Sequence, residues 1–406
     1  MASSALSDHD DNGSSDRRYI TAKKTTNAIV HSGFIVAGVV TVILGPLLPV
    51  LIARWSMSDE RAGLFFTLQF CGNLLGIISL GSLISRRGYG QTLGIGFTFI
   101  ALGIAALNLG SEILCLTATA GFGYGLGLVL SATNLWVAEA AAARRAPALT
   151  ILNLTWGIGA ITCPVLVMLA QRGHWLGALL FSVAGLSLLH ALALVSMDVE
   201  PRSQGSATGG TLPEAPSDGR KTALFGALFF LYCGTESAIG GWAAALAKRI
   251  GTNTGNLWEL APMFFWAGLL IGRALGPFVL HRATERTVLF LGLTLAGASN
   301  TALLWLANMS GAAICLIGAG LGFACIFPLL VSSLTEHYGK RARSVGSIVF
   351  ALASLGGATI PWLVGFTSSR VGSLRAGLVV PLTACVFILI LLPLLGTSTS
   401  PSLQRS

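Results

Sequence analysis

The sequence predicts an all-α membrane protein of twelve transmembrane helices arranged as two six-helix pseudo-repeats. Three observations predict it. The 406 residues are 53% hydrophobic and only 10% charged, whereas a soluble domain carries about 25% Asp, Glu, Lys and Arg. Too little charge is left to cover a globular surface. Apolar runs continue for about 20 residues, the length a spanning helix needs, without the alternation of barrel strands. Glycine supplies 50 of the 406 residues, which suits packed membrane helices because small residues let backbones approach. A soluble enzyme, a disordered chain and a disulfide scaffold are excluded on these grounds.

Charged residues bound the spans in order. A polar tail, 1–27, holds Asp8, Asp10, Asp11, Asp16, Arg17, Arg18, Lys23 and Lys24 and shows no signal peptide. The first span, 28–53, ends at Arg54, and the second, 62–84, lies between Arg61 and the Arg86, Arg87 pair. The third, 91–110, and the fourth, 112–138, follow, with Glu139 closing the fourth. The fifth, 147–170, lies between Arg145 and Arg172, and the sixth, 174–197, completes a bundle over 28–197. Residues 198–221 hold Pro201, Gly205, Gly209, Gly210, Pro213, Pro216 and Gly219 among Ser and Thr. Such a composition cannot build a core and reads as a linker. The second bundle, 222–395, has spans at 222–247, 258–280, 287–307, 311–335, 344–367 and 374–395, and a tail follows over 396–406.

Lys and Arg set the orientation. With the N-terminus inside, 17 of the 25 fall in inner segments and 7 in outer ones, with Arg273 inside a span. This bias predicts an inner-membrane protein with both termini and the linker in the cytoplasm. It also accounts for the net charge of +9. No basic face with interleaved aromatics points to nucleic acid. The seven cysteines lie in apolar spans without a CxxC pair, as small core residues, so neither metal nor disulfide is expected. No cofactor is expected either.

The two bundles repeat. At a shift of 197 residues Gly123 maps to Gly320, Gly125 to Gly322, Glu139 to Glu336, Arg144 to Arg341, Gly159 to Gly356 and Pro164 to Pro361. At a shift of 195, Gly81 maps to Gly276 and Arg87 to Arg282. A parallel six-plus-six repeat is the plan of the major facilitator fold. The loop Gly81-Ser-Leu-Ile-Ser-Arg-Arg-Gly88 resembles the signature of that superfamily, with Ser85 where Asp is usual. Leu44-Gly-Pro-Leu-Leu-Pro49, Gly234-Thr-Glu-Ser-Ala-Ile-Gly-Gly-Trp242, Gly272-Arg273 and the run from Phe327-Pro328 to Glu336 resemble the fucose/glucose–galactose permease branch. That resemblance implies a monomeric sugar:proton symporter. The fucose-permease pattern keeps Asn134, but Leu130 and Gly45 stand where its two coupling carboxylates would fall.

Two charges remain near the membrane centre, Glu236 in the seventh span and Arg273 in the eighth. A charge there costs about 2.5–3.5 kcal/mol on insertion scales, so such residues face a cavity, pair or relay protons. Glu236 stands about 21 Å along its helix from Thr222, and Arg273 about 12 Å from His281. The difference, about 9 Å, is near the combined reach of both side chains. It allows an ion pair without requiring one. Glu236 therefore has three readings: proton carrier, acceptor for solute hydroxyls, or structural partner of Arg273.

Softer candidates for solute binding are Gln69 and Asn73, one turn apart, with Asn134, Asn153, Trp156, Tyr232, Trp242 and Trp266. Amides donate and accept toward hydroxyls, and indole rings can stack on a sugar, although each can equally bond a neighbouring helix. Arg86, Arg87, Glu139, Arg144, Glu336 and Arg341 occupy equivalent inner ends. They read either as solvated topology charge or as latches between the halves.

The expected function is secondary active transport of a small polar solute, a sugar by resemblance, coupled to protons through Glu236. The alternatives are a proton-driven efflux antiporter for an amphipathic compound and a non-transporting membrane sensor. An enzyme would need a nucleophile–base pair or metal cluster, and no P-loop for ATP is present.

Overall fold

A computed structural model describes residues 7–141, 144–197, 199, 218–250, 257–306 and 308–395. Most of the expected linker, all of the C-terminal tail and residues 1–6 lie outside the described residues. The described chain is helical, with no strand.

The first span is two helices, α1 (Ser7–Val42) and α2 (Leu44–Trp55). Helical backbone thus reaches back into the segment expected as a polar tail. The break at Ile43 has a local cause. Pro46 has no N–H to give the carbonyl one turn back, and Pro49 repeats the defect inside α2. Helix α3 (Asp59–Ala106) carries the second and third spans. Gly88, at φ 75° and ψ 177°, divides them in a conformation that a side chain would strain. Helices α4 (Glu112–Ala140), α5 (Arg145–Arg172) and α6 (Leu176–Ser196) complete the first half.

The second half opens with α7 (Gly219–Ile250). A short 3₁₀ turn, Trp258–Leu260, then leads into α8 (Ala261–Leu280). Helix α9 (Glu285–Trp305) precedes a second broken span, α10 (Met309–Phe323) with α11 (Ile326–Tyr338), where Pro328 lacks the N–H for Ala324. Helix α12 (Ala342–Val371) and the pair α13 (Leu374–Gly377) and α14 (Val379–Leu391) close the bundle. Among the described residues eleven helical spans are long and apolar enough to cross a membrane. The division of α3 at Gly88 gives the twelfth crossing. Large apolar side chains such as Phe278, Ile314 and Ile113 point outward from the bundle, as a lipid-facing surface requires.

The repeat is visible in the packing. Gly72 rests on the Ala120 backbone and Gly268 on the Ile317 backbone; Gly123 rests on Gln69 and Gly320 on Phe265; Gly159 rests on Ile35 and Gly356 on Phe230. These are the same three helix contacts, repeated at shifts of 195–197 residues. Each brings two backbones together where a side chain would not fit, the small-residue packing that holds helices in lipid.

The halves meet along α3 with α12, α5 with α8, and α2 with α7. Polar links cross this seam in a line. Asp59 meets Arg249 and Ser368, the Glu60 amide meets Ser369, Thr67 donates to the Ala358 carbonyl, and Ser354 donates to Asn73. From Asp59 to Asn73 the line climbs about 21 Å along α3, which reaches mid-membrane. Beyond it, toward Arg86, Gly81 faces open space.

Candidate functional site

Both helix breaks are answered by a side chain from a neighbouring helix. In the first half, the Gln69 amide of α3 donates to the Thr41 carbonyl at 2.9 Å, just before the break at Ile43. The Thr41 hydroxyl accepts from the Trp156 indole of α5 at 3.4 Å. In the second half, the buried Tyr232 of α7 donates its hydroxyl to the Phe323 carbonyl at 3.3 Å, where α10 ends. Discontinuous helices at the midplane are where transporters of this architecture place their sites, because freed backbone is tolerated only beside partners or a cavity.

The charged pair lies beside the second break. Arg273 of α8 brings its Nη2 to 3.8 Å from Glu236 Oε1 of α7, with the side chains 23% and 14% exposed. That separation is within ion-pair reach but beyond a hydrogen bond. The Tyr232 hydroxyl lies next to the Glu236 carboxylate, and the Cys325 thiol lies in the field of Arg273. Among the described residues, Arg273 Nε, the hydroxyl of Thr235 beside Glu236 in the chain, and Trp266 Nε1 on the same helix as Arg273 are buried without a hydrogen-bond partner. A group taken out of water without a partner is costly. A cluster with several such groups is suited to receive polar atoms from elsewhere.

The structure gathers some candidate residues and disperses others. Tyr232, Glu236 and Arg273 form one cluster in the second half. Trp156 and Trp266 meet edge to face across the halves with centroids 5.6 Å apart, and Asn73 accepts from Ser354 across the same seam at 3.3 Å. Gln69 is buried, with its amide given to Thr41. Asn134 and Asn153 each donate to a carbonyl of their own helix, Leu130 and Leu149, at 2.8 Å, and Asn153 is exposed. Trp242, read as a ring that could stack on a solute, is fully buried and donates to the Pro361 carbonyl at 2.9 Å. In this conformation its ring is shut away from solvent, tilted against Phe66 with centroids 6.2 Å apart.

Arg86, Arg87, Glu139, Arg144 and Glu336 are exposed and Arg341 is half-buried, all at the end of the bundle opposite Asp59. Among the described residues an ion pair also joins the halves at the Asp59 end, between Asp59 and Arg249. Sequence reasoning passed over it, because Arg249 reads as one more loop charge and Asp59 as a helix-start residue. Among the described residues, no group of three His, Cys, Asp or Glu could hold a metal ion.

Residues 30–361 match the Major Facilitator Superfamily. The chain belongs to this superfamily. It is 23% identical over 357 residues to the glucose/mannose transporter GlcP of Bacillus subtilis, covering 84% of this chain and 87% of that one. As a superfamily member it superposes on a D-xylose–proton symporter with a TM-score of 0.73 at 17% identity, over 92% of this chain and 97% of the other. The transporter FucP in its outward conformation gives a TM-score of 0.63 at 18% identity, over 91% and 98%. The superfamily assignment makes this a multi-pass membrane transporter of a small solute.

Proposed function

We propose that the chain is a sugar:proton symporter of the inner membrane that works by rocking its halves, 28–197 and 222–395, about the Glu236–Arg273 site, as a monomer and without enzymatic activity. The observation that carries this reading is the 3.8 Å gap between Arg273 and Glu236. A buried pair held by full hydrogen bonds would be a structural tie. A pair held apart leaves the carboxylate able to alternate between Arg273, a proton and a solute hydroxyl. Protonation of Glu236 frees the Arg273 donors for solute oxygens, and solute hydroxyls give the carboxylate donors in place of Arg273. Proton and sugar then favour the same rearranged site, as symport requires.

The Lys and Arg bias supports placing the Arg86 end in the cytoplasm. The sealed Asp59 end is then external, and the conformation faces inward. The names of the relatives, a glucose/mannose transporter and a D-xylose–proton symporter, support a sugar as solute. A second reading draws on the ring cluster beside the site, where Phe327 stacks near Phe350 and Tyr232. Such a wall suits an amphipathic compound exported in exchange for protons.

The test is uptake into proteoliposomes across a panel of labelled sugars, with and without an inward proton gradient. Gradient-driven accumulation of one sugar, lost in Glu236→Gln, is the expected result. Accumulation that persists in Glu236→Gln removes the proton carrier. Failure of every sugar, with proton-driven export of an amphipathic dye, replaces the symporter by the antiporter.

A further inference from the structure

Polar bonds between the halves close one end of the bundle. There a single carboxylate joins three helices. Asp59 is the first residue of α3, after the Ser58 cap. Its Oδ1 accepts from Arg249 Nη2 at 2.5 Å and its Oδ2 from Arg249 Nη1 at 2.8 Å, while Oδ2 also accepts from the Ser368 hydroxyl at 2.5 Å. Arg249 belongs to α7 and Ser368 to α12, both in the second half. The Glu60 amide adds a bond to Ser369 at 2.9 Å, and Gly365 of α12 packs on the Asp59 carbonyl.

Each partner also stands where its helix favours its charge. Asp59 lies in the first turn of α3 and Arg249 in the last turn of α7, so both helix dipoles reinforce the pair. A planar guanidinium that binds both oxygens of one carboxylate fixes orientation as well as distance. An exposed ion pair contributes little to stability, but the Asp59 side chain is only 10% exposed, and its bonds cross between bodies that must part for access to alternate. Separating α3 from α7 and α12 breaks all three bonds at once. In the same layer, buried Glu259 stands in the field of Arg172 from the first half and Lys248 from the second.

We propose that Asp59 is a positioning residue for the transport cycle, the latch that holds this end shut through Arg249 and Ser368. Its release then sets how often the end opens. The proposal concerns the halves and not the solute, so a failed sugar panel leaves it standing.

The experiment is hydrogen–deuterium exchange on the full-length chain in lipid nanodiscs without solute. Asp59→Asn is expected to raise exchange about tenfold over 56–64 and 364–373. Because opening one end closes the other, exchange should fall over 82–89 and 136–141. Local fraying would not protect the far end, so this reciprocal change is the decisive readout. The swap Asp59→Arg with Arg249→Asp restores part of the wild-type pattern, the remainder being lost to the helix dipoles it now opposes. Arg61→Ala breaks the Arg61–Glu112 pair at the same end but within one half, and leaves the far end unchanged. Ser368→Ala gives a smaller change of the same form, and it carries the test if Asp59→Asn fails to fold. Exchange that rises at the Asp59 end without protection of the far end, or that does not change in the folded variant, overturns the latch.

Discussion

The two halves share a backbone plan and differ in chemistry. Gly123 on Gln69 and Gly320 on Phe265 are the same contact made twice. Around those contacts three amides of the first half bond within it, Gln69 to Thr41, Asn134 to Leu130 and Asn153 to Leu149. The second half instead holds a loosely spaced Glu236–Arg273 pair with unpartnered donors beside it. Packing is thus symmetric, while the Glu236–Arg273 pair stands on one side. A rocking transporter needs two matched bodies, but only one of them has to carry the charge.

Four experiments sharpen or break this comparison. The largest effect should be symmetric. Gly123→Val and Gly320→Val each force a side chain into a facing backbone and should each cost about 3 kcal/mol, read as matched drops in thermal midpoint in detergent. A large difference between them would break the idea of one scaffold used twice. Next, Arg273→Ala leaves Glu236 buried without its cation and should cost about 2 kcal/mol. Adding Glu236→Gln should recover most of that stability while transport stays lost. Gln69→Leu removes a neutral donor at the first helix break, at a cost of about 1 kcal/mol, with transport slowed but its proton dependence kept. Asn153→Leu, whose amide serves only its own helix, should change stability by no more than about 0.6 kcal/mol and leave uptake unaltered. An uptake loss in Asn153→Leu would return that residue to the solute path in another conformation.

Much of the fold was legible along the chain. Apolar runs gave the spans, Gly88 fell at the turn between the second and third, and equal offsets between glycines announced the repeat. The central charges were legible too, because an ionised side chain in an apolar run is costly wherever it ends up. The helix breaks were half legible. Pro46 and Pro328 mark freed carbonyls at Val42 and Ala324, but not that Gln69 and Tyr232 bond the carbonyls one residue earlier, Thr41 and Phe323. Trp242 looked available for stacking because its partner, the Pro361 carbonyl, lies 119 residues away.

The sequence by itself determined that the chain crosses the membrane, how often, and where its costly charges sit. Insertion free energy is close to a sum over residues within one segment, so a local window contains it. The tertiary structure alone decided that Arg273 stops 3.8 Å short of Glu236 and that Asp59 closes on Arg249 across 190 residues. Those distances depend on the rotation and depth of whole helices against one another, which the many close glycine contacts set together.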